Sequence, residues 1–219
     1  MLLATLQDHL SSLYEAPIEQ RVVDYLVTDA RLAQALEDSE QQHANCERLL
    51  VRERSDALDI SLYIDAQILS SLTACNPYIC LDERNLNEFL IALEGVSHFH
   101  YLVWNAVHAR QVTQLEMEIQ AEVDKYVTAT LLLLRQQGVI DDSEAFHERF
   151  FTDVSYVLDG DCANGQRYRE ANHYAAKYCR GLNRRYPAQH EQPTFINELR
   201  RFYRLSQNGK IRSIERATH

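Results

Sequence analysis

The chain reads as a mainly α-helical domain with one small β-hairpin in its N-terminal third, and three observations carry that reading. Gly and Pro are scarce, six and four in 219 residues, which favours long helices over many-stranded sheets. Phe89–Val107, FLIALEGVSHFHYLVWNAV, is the most apolar run. One short stretch, by contrast, alternates with a period of about two instead of about 3.6: Leu58, Ile60, Leu62 and Ile64 against Asp59, Ser61, Tyr63 and Asp65. The expected architecture is a helical-bundle-like single domain over 1–219. It is built around a helix at 86–110, and 187–219 forms a basic C-terminal arm packed on it.

The central helix follows from its two sides. At about 100° per residue, Leu86, Leu90, Leu93, Ser97, His100, Tyr101, Trp104 and His108 share one side. The other side still carries Ile91, Gly95, Leu102 and Ala106. A helix apolar all round is either a core helix or a membrane span. Glu94, His98 and His100 inside the run argue for the core.

The remaining elements follow in order. Leu2, Leu3, Leu6, Leu10 and Leu13 set a helix over 2–14. Gln20–Thr28 suits a strand as well as a helix, because its β-branched residues favour extended chain. Asp29 can cap a short helix with Leu32 and Leu36, and Glu37–Glu47 is polar connection. A hairpin at about 48–64 turns at Arg54-Ser55-Asp56, and Asp65 then caps a helix at 66–74. A helix through 58–72 would instead bury Asp65 as a ligand. Asn85 can cap the central helix. Thr113-Gln114-Leu115-Glu116 is a capping box that opens a helix to Gln137, with Gly138 beyond its end. This helix is expected to pack antiparallel to the central one. Helices at 143–151, 166–186 and 195–207 follow, the last capped by Thr194 and ended by Asn208-Gly209 before a short basic tail.

Charge is uneven along the chain. The total is −10. Lys177 to His219 holds ten basic and three acidic residues, hence +7, which leaves −17 on residues 1–176. The acidic body argues against a protein that coats nucleic acid all over. The N-terminus has no basic start and no long apolar core, so it does not read as an export signal. Five cysteines in no CxxC pair suggest reduced thiols and a cytoplasmic location.

Candidate chemistry concentrates at interior carboxylates. On the helix 114–137, Glu122 falls in the middle of the stripe Leu115, Ile119, Tyr126, Ala129 and Leu133, and Glu118 lies at its edge. A buried carboxylate needs a partner. The expected ones are His98, His100, His108 or an arginine of the C-terminal helices. Glu94 and His98, four apart, meet on one side of the central helix. Glu94, His98, Glu118 and Glu122 are therefore the candidate catalytic set, and structural ion pairing is the plainer alternative. Dinuclear sites use Glu-x-x-His pairs, and Glu170 with His173 has that spacing. However, the apolar stripe Tyr168, Ala171, Ala175, Cys179 and Leu182 puts both outside and Asn172 inside. A magnesium phosphohydrolase built on Glu94, Glu118 and Glu122 lacks a Gly-rich phosphate loop. His43, Cys46, Cys75 and Cys80 have no diagnostic zinc spacing.

The arm offers Arg184, Arg185, Lys210, Arg212 and Arg216 as partner-binding cations, while arginines near Phe202 and Tyr203 should pair internally. Two functional readings follow. One is a non-catalytic regulatory protein whose arm binds an acidic protein, a second copy or nucleic acid. The other is a metal-dependent enzyme or ligand-binding protein with an interior Glu/His site. Neither assigns a cofactor or a specific metal.

Overall fold

The structure, a computed structural model, describes residues 2–37, 46–53, 58–140, 142–152, 163–187 and 193–216. It is mainly α-helical with one three-stranded sheet, as the sequence predicts. The chain divides into two compact units. The first comprises Met1–Ser12 and Pro17–Trp104, and the second Leu13–Ala16 and Asn105–His219.

In the first unit, α1 (Leu2–Tyr14) presents Leu3, Leu6 and Leu10 as fully buried residues. Gln7 on α1 holds the ambiguous segment 20–28. Its Nε2 donates to the Gln20 carbonyl at 2.6 Å, and its Oε1 accepts from the Val22 amide at 2.8 Å. That segment resolves into a 3-10 turn over Val22–Tyr25 and a two-residue strand, β1 (Leu26–Val27). α2 (Ala30–Leu36) starts at Asp29, whose carboxylate accepts from the Arg31 and Leu32 amides. The hairpin forms as expected, β2 (Glu47–Glu53) antiparallel to β3 (Leu58–Ile64), with β1 parallel on β3's other edge. Its turn lies outside the described residues. α3 (Ala66–Ala74) takes Asp65 as its N-cap, and its carboxylate accepts from the Gln67 amide at 2.7 Å. The continuous 58–72 helix is thereby excluded.

α4 (Leu86–Val107) is the central helix, and Gly95–Tyr101 are buried without interruption. Burial of every face over two turns is what its all-round apolar composition requires. Asn85 departs from the expected cap. Its Oδ1 accepts from the Asp82 amide, and its Nδ2 donates to the Cys75 and Cys80 carbonyls. The side chain thus ties the preceding loop together, while the Asn85 backbone carbonyl accepts from the Phe89 amide at 2.9 Å.

In the second unit, α5 (Gln114–Gln137) is bounded as its signals predict. Thr113 Oγ1 accepts from the Glu116 amide at 3.1 Å, and Gly138 closes the helix at φ 80°. Its burial is the main surprise: every residue from Glu118 to Thr130 is buried. α6 (Ser143–Thr152) and α7 (Ala163–Arg185) follow, with Ala171, Ala175, Cys179 and Leu182 of α7 buried as the stripe requires. The single helix expected at 195–207 is instead two. α8 (Pro193–Tyr203) ends before Asn208-Gly209, which lie in the first turn of α9 (Gln207–Arg216). Lys210 and Ile214 are buried on α9, so the expected tail is a packed helix. Among the described residues no helix is long and apolar enough to cross a membrane.

Candidate functional site

Three polar side chains converge in the first unit. Glu94 and His98 lie one turn apart on α4, and Glu47 comes from the first residue of β2. One ligand atom from each lies within 4.8 Å of the others. The register puts Glu47 opposite Ile64 and Leu49 opposite Leu62, so Glu47 continues the face that carries Leu49 and Val51. The Asp65 amide donates to the Cys46 carbonyl at 2.9 Å and fixes the strand end from which Glu47 projects. Arg48, on the opposite face, is held at 2.6 Å by Glu37 and stacks over Tyr63.

Gly95 makes the approach possible. A Cβ at this position would fall 2.8 Å from Glu47 Cγ and 3.0 Å from Leu62 Cδ1. The missing side chain is the space through which the Glu47 chain crosses α4 between Glu94 and His98. The group is shielded, with the His98 and Glu47 side chains 6% and 10% exposed. His98 Nδ1 lies 3.6 Å from Glu47 Oε1. That is beyond hydrogen-bond length. It is close to the separation of roughly 3.4 Å expected for two ligand atoms on one tetrahedral ion with bonds of about 2.1 Å. Two carboxylates and one imidazole are a donor set that divalent ions such as Zn2+ and Mn2+ accept.

The sequence singled out Glu94 and His98 but missed Glu47. The signal was there: Glu47, Leu49 and Val51 alternate, so a glutamate stands at the end of the hairpin's apolar face. It went unread because the polar run before it hides where β2 starts. His43 of the mixed zinc set lies outside the described residues.

Glu118 and Glu122 belong to the second unit, and each has a cationic neighbour there. Glu122 Oε1 accepts from Lys125 Nζ at 2.6 Å, both side chains being 8% exposed. Beside the His or Arg expected for it, Glu122 thus has a lysine partner three residues on in the same helix. Glu118 lies 3.9 Å from Arg167 Nε. Glu116, expected to complete the capping box, is buried instead between Arg110, at 3.2 Å, and the Gln207 amide, at 2.9 Å. Asp124, which no motif or stripe marks, accepts from Tyr14 Oη and from Gln120 Nε2. His100, by contrast, pairs in the first unit with Ser11 Oγ at 3.0 Å.

The partner-binding cations divide. Arg184, Arg212 and Arg216 are exposed. Arg185 is also exposed but lies 3.7 Å from Glu198 and donates to the Gly181 carbonyl. Lys210 overturns its expected freedom because α9 turns it inward. It is fully buried, donating to Gln120 Oε1 and, at 3.0 Å, to the Phe202 carbonyl. Burial pushes its pKa down to about 7, against the upward pull of Glu116 and Asp124. The arginines nearest Phe202 and Tyr203 do pair internally. Arg200 bonds Glu15 at 2.7 Å, and Arg201 bonds Glu198 at 2.9 Å.

No protein-family model, no curated protein and no solved structure matches the chain.

Proposed function

We propose that the chain binds one divalent transition-metal ion through Glu47, Glu94 and His98, and that it works as a metal-dependent enzyme or ligand-binding protein. The observation that carries this is the convergence of three metal-competent side chains within 4.8 Å at a shielded point, across a glycine that a side chain would block. Three protein ligands leave a coordination position for water or a bound molecule, the pattern of catalytic rather than structural zinc sites. The imidazole supplies a borderline donor, and two carboxylates neutralise the ion's charge in a site largely withdrawn from water.

The test is calorimetric titration of metal-free protein with Zn2+ and with Mn2+, repeated on Glu94→Gln. Uptake of one ion per chain, weakened at least tenfold in the variant, supports the site. Equal uptake in both would place the ion elsewhere.

A second reading rests on the exposure of Arg184, Arg212 and Arg216, which leaves three cations for an acidic protein or nucleic acid. Its test is retention on RNA and on an acidic protein at low and moderate salt, with the three replaced by Gln.

A further inference from the structure

Cys75 and Cys80 lie on the loop that leads from α3 into α4, within the first unit, and both are free thiols. Their reading does not depend on that of Glu47, Glu94 and His98.

The backbone brings the two cysteines together. Asn76 heads a single turn of helix. Its Oδ1 accepts from the Tyr78 amide at 3.0 Å, and its carbonyl accepts from the Ile79 and Cys80 amides at 3.0 and 3.2 Å. Cys75 is thus the residue before the cap and Cys80 the fourth after it, the two positions whose side chains meet across the start of a helix. The Asn85 side chain, itself buried, then clamps both. Its Nδ2 donates to the Cys75 carbonyl at 3.1 Å and to the Cys80 carbonyl at 2.8 Å, and it lies 3.6 Å from Cys75 Sγ. One nitrogen thereby holds both backbones, and the two thiols are near enough to interact electrostatically.

The sulfurs are differently placed. Cys80 is exposed, and its thiol donates to Asp82 Oδ2 at 3.5 Å. That hydrogen bond holds the proton on and pushes the Cys80 thiol up from its ordinary value. Cys75 is half-buried and takes the Asn85 N–H instead. The Arg84 guanidinium, bonded to Asp82 at 2.6 Å, interacts with both sulfurs. Reactive cysteines occupy such partly exposed surroundings, with a cation close by. Cys179 is the contrast: it has no exposed surface, and burial pushes its thiol well up.

We propose that Cys75 and Cys80 are a peroxide-sensitive pair that a hydroperoxide converts to an intramolecular disulfide. The Cys75 thiolate attacks the terminal peroxide oxygen. The O–O bond breaks, Cys75 becomes a sulfenic acid, and the second oxygen leaves as an alkoxide that takes up a proton. Cys80 Sγ then attacks the Cys75 sulfur. The S–S bond forms, the S–O bond breaks, and the hydroxyl leaves as water with the Cys80 proton. Two thiols give up two electrons and two protons, and the hydroperoxide is reduced to an alcohol and water. The product lacks the Cys80–Asp82 hydrogen bond in the loop that starts α4.

The experiment treats the reduced full chain with hydrogen peroxide at a dose that leaves Cys179 unmodified. The chain is then denatured, alkylated and mapped by mass spectrometry, as wild type, Cys75→Ser and Cys80→Ser. Wild type should lose two of its five thiols, recover them with dithiothreitol, and yield a peptide linked between Cys75 and Cys80. Cys80→Ser should keep a sulfenic acid at Cys75 that dimedone captures. Cys75→Ser should give about tenfold less adduct at Cys80, whose thiol stays protonated. Peroxide that leaves both as thiols, that oxidises them only to separate acids, or that links either one to Cys46 or Cys162, would overturn the proposal. Dimedone capture at Cys80 equal to that at Cys75 would overturn the assignment of Cys75 as the attacking sulfur.

Discussion

Two buried lysines show how a single residue's surroundings set its effect. Lys125 and Glu122 form a pair 2.6 Å apart. Removing one member of a buried pair leaves the other charge uncompensated, at about 3–5 kcal/mol. Glu122→Ala should therefore lower the urea midpoint strongly, and Glu122→Gln should do so less, because an amide oxygen can still accept from Lys125. Equal and negligible shifts would show that the pair contributes nothing. Lys210 behaves differently, since burial holds its pKa near 7 while an unfolded lysine titrates at 10.5. Between these values the unfolded chain binds the extra proton, so stability rises with pH across the window, by up to roughly 1.4 kcal/mol per unit. Below about pH 7 both states are protonated and the full penalty of the buried charge remains. Unfolding free energies at pH 7.5 and 9.5 should therefore differ more in wild type than in Lys210→Met. Parallel values in the two proteins would mean that Lys210 titrates normally.

At the scale of the element, the helices and the hairpin were legible because their signals are local. Thr113 and Gly138 bracket α5, Asp29 and Asp65 cap α2 and α3, and strict alternation marks β3. What could not be read was which polar residues face inward. α5 carries Glu118, Gln120, Glu122, Asp124 and Lys125 in one buried stretch, yet its composition resembles a solvated helix. Burial is tolerable there because Tyr14, Gln120 and Lys210 join Asp124 in one hydrogen-bonded network, and Tyr14 and Lys210 come from 106 and 90 residues away from Gln120. The same limit hid Glu47, whose meeting with α4 depends on a strand register and a glycine. Gly95→Ala tests that meeting. Its methyl group would displace the flexible Glu47 side chain but leave α4 intact, since Ala favours a helix by about 0.5–1 kcal/mol. The expected outcome is weaker metal uptake with an unchanged circular dichroism spectrum. Full uptake would show that Glu47 is not a ligand.

At the scale of the whole molecule, the +7 C-terminal segment looked like an extended partner surface, and much of its charge is used within its own unit. Arg200, Arg201 and Arg185 neighbour Glu15 or Glu198, and Lys210 is enclosed. Neutralising Arg184, Arg212 and Arg216 together should barely change stability, because exposed charges contribute roughly 0–1 kcal/mol. It should reduce any salt-sensitive binding, which a retention assay at two ionic strengths would detect.

Whether Glu47, Glu94 and His98 hold an ion is reached most directly by one measurement. Chemical unfolding is followed with and without Zn2+ at about a hundred times its dissociation constant, for wild type and for the double variant Glu94→Gln/His98→Gln. Binding to the folded state alone should stabilise wild type by about 2.7 kcal/mol. The double variant should gain almost nothing. A wild-type midpoint that Zn2+ leaves where it was, or an equal rise in both proteins, would contradict an ion held by these three residues.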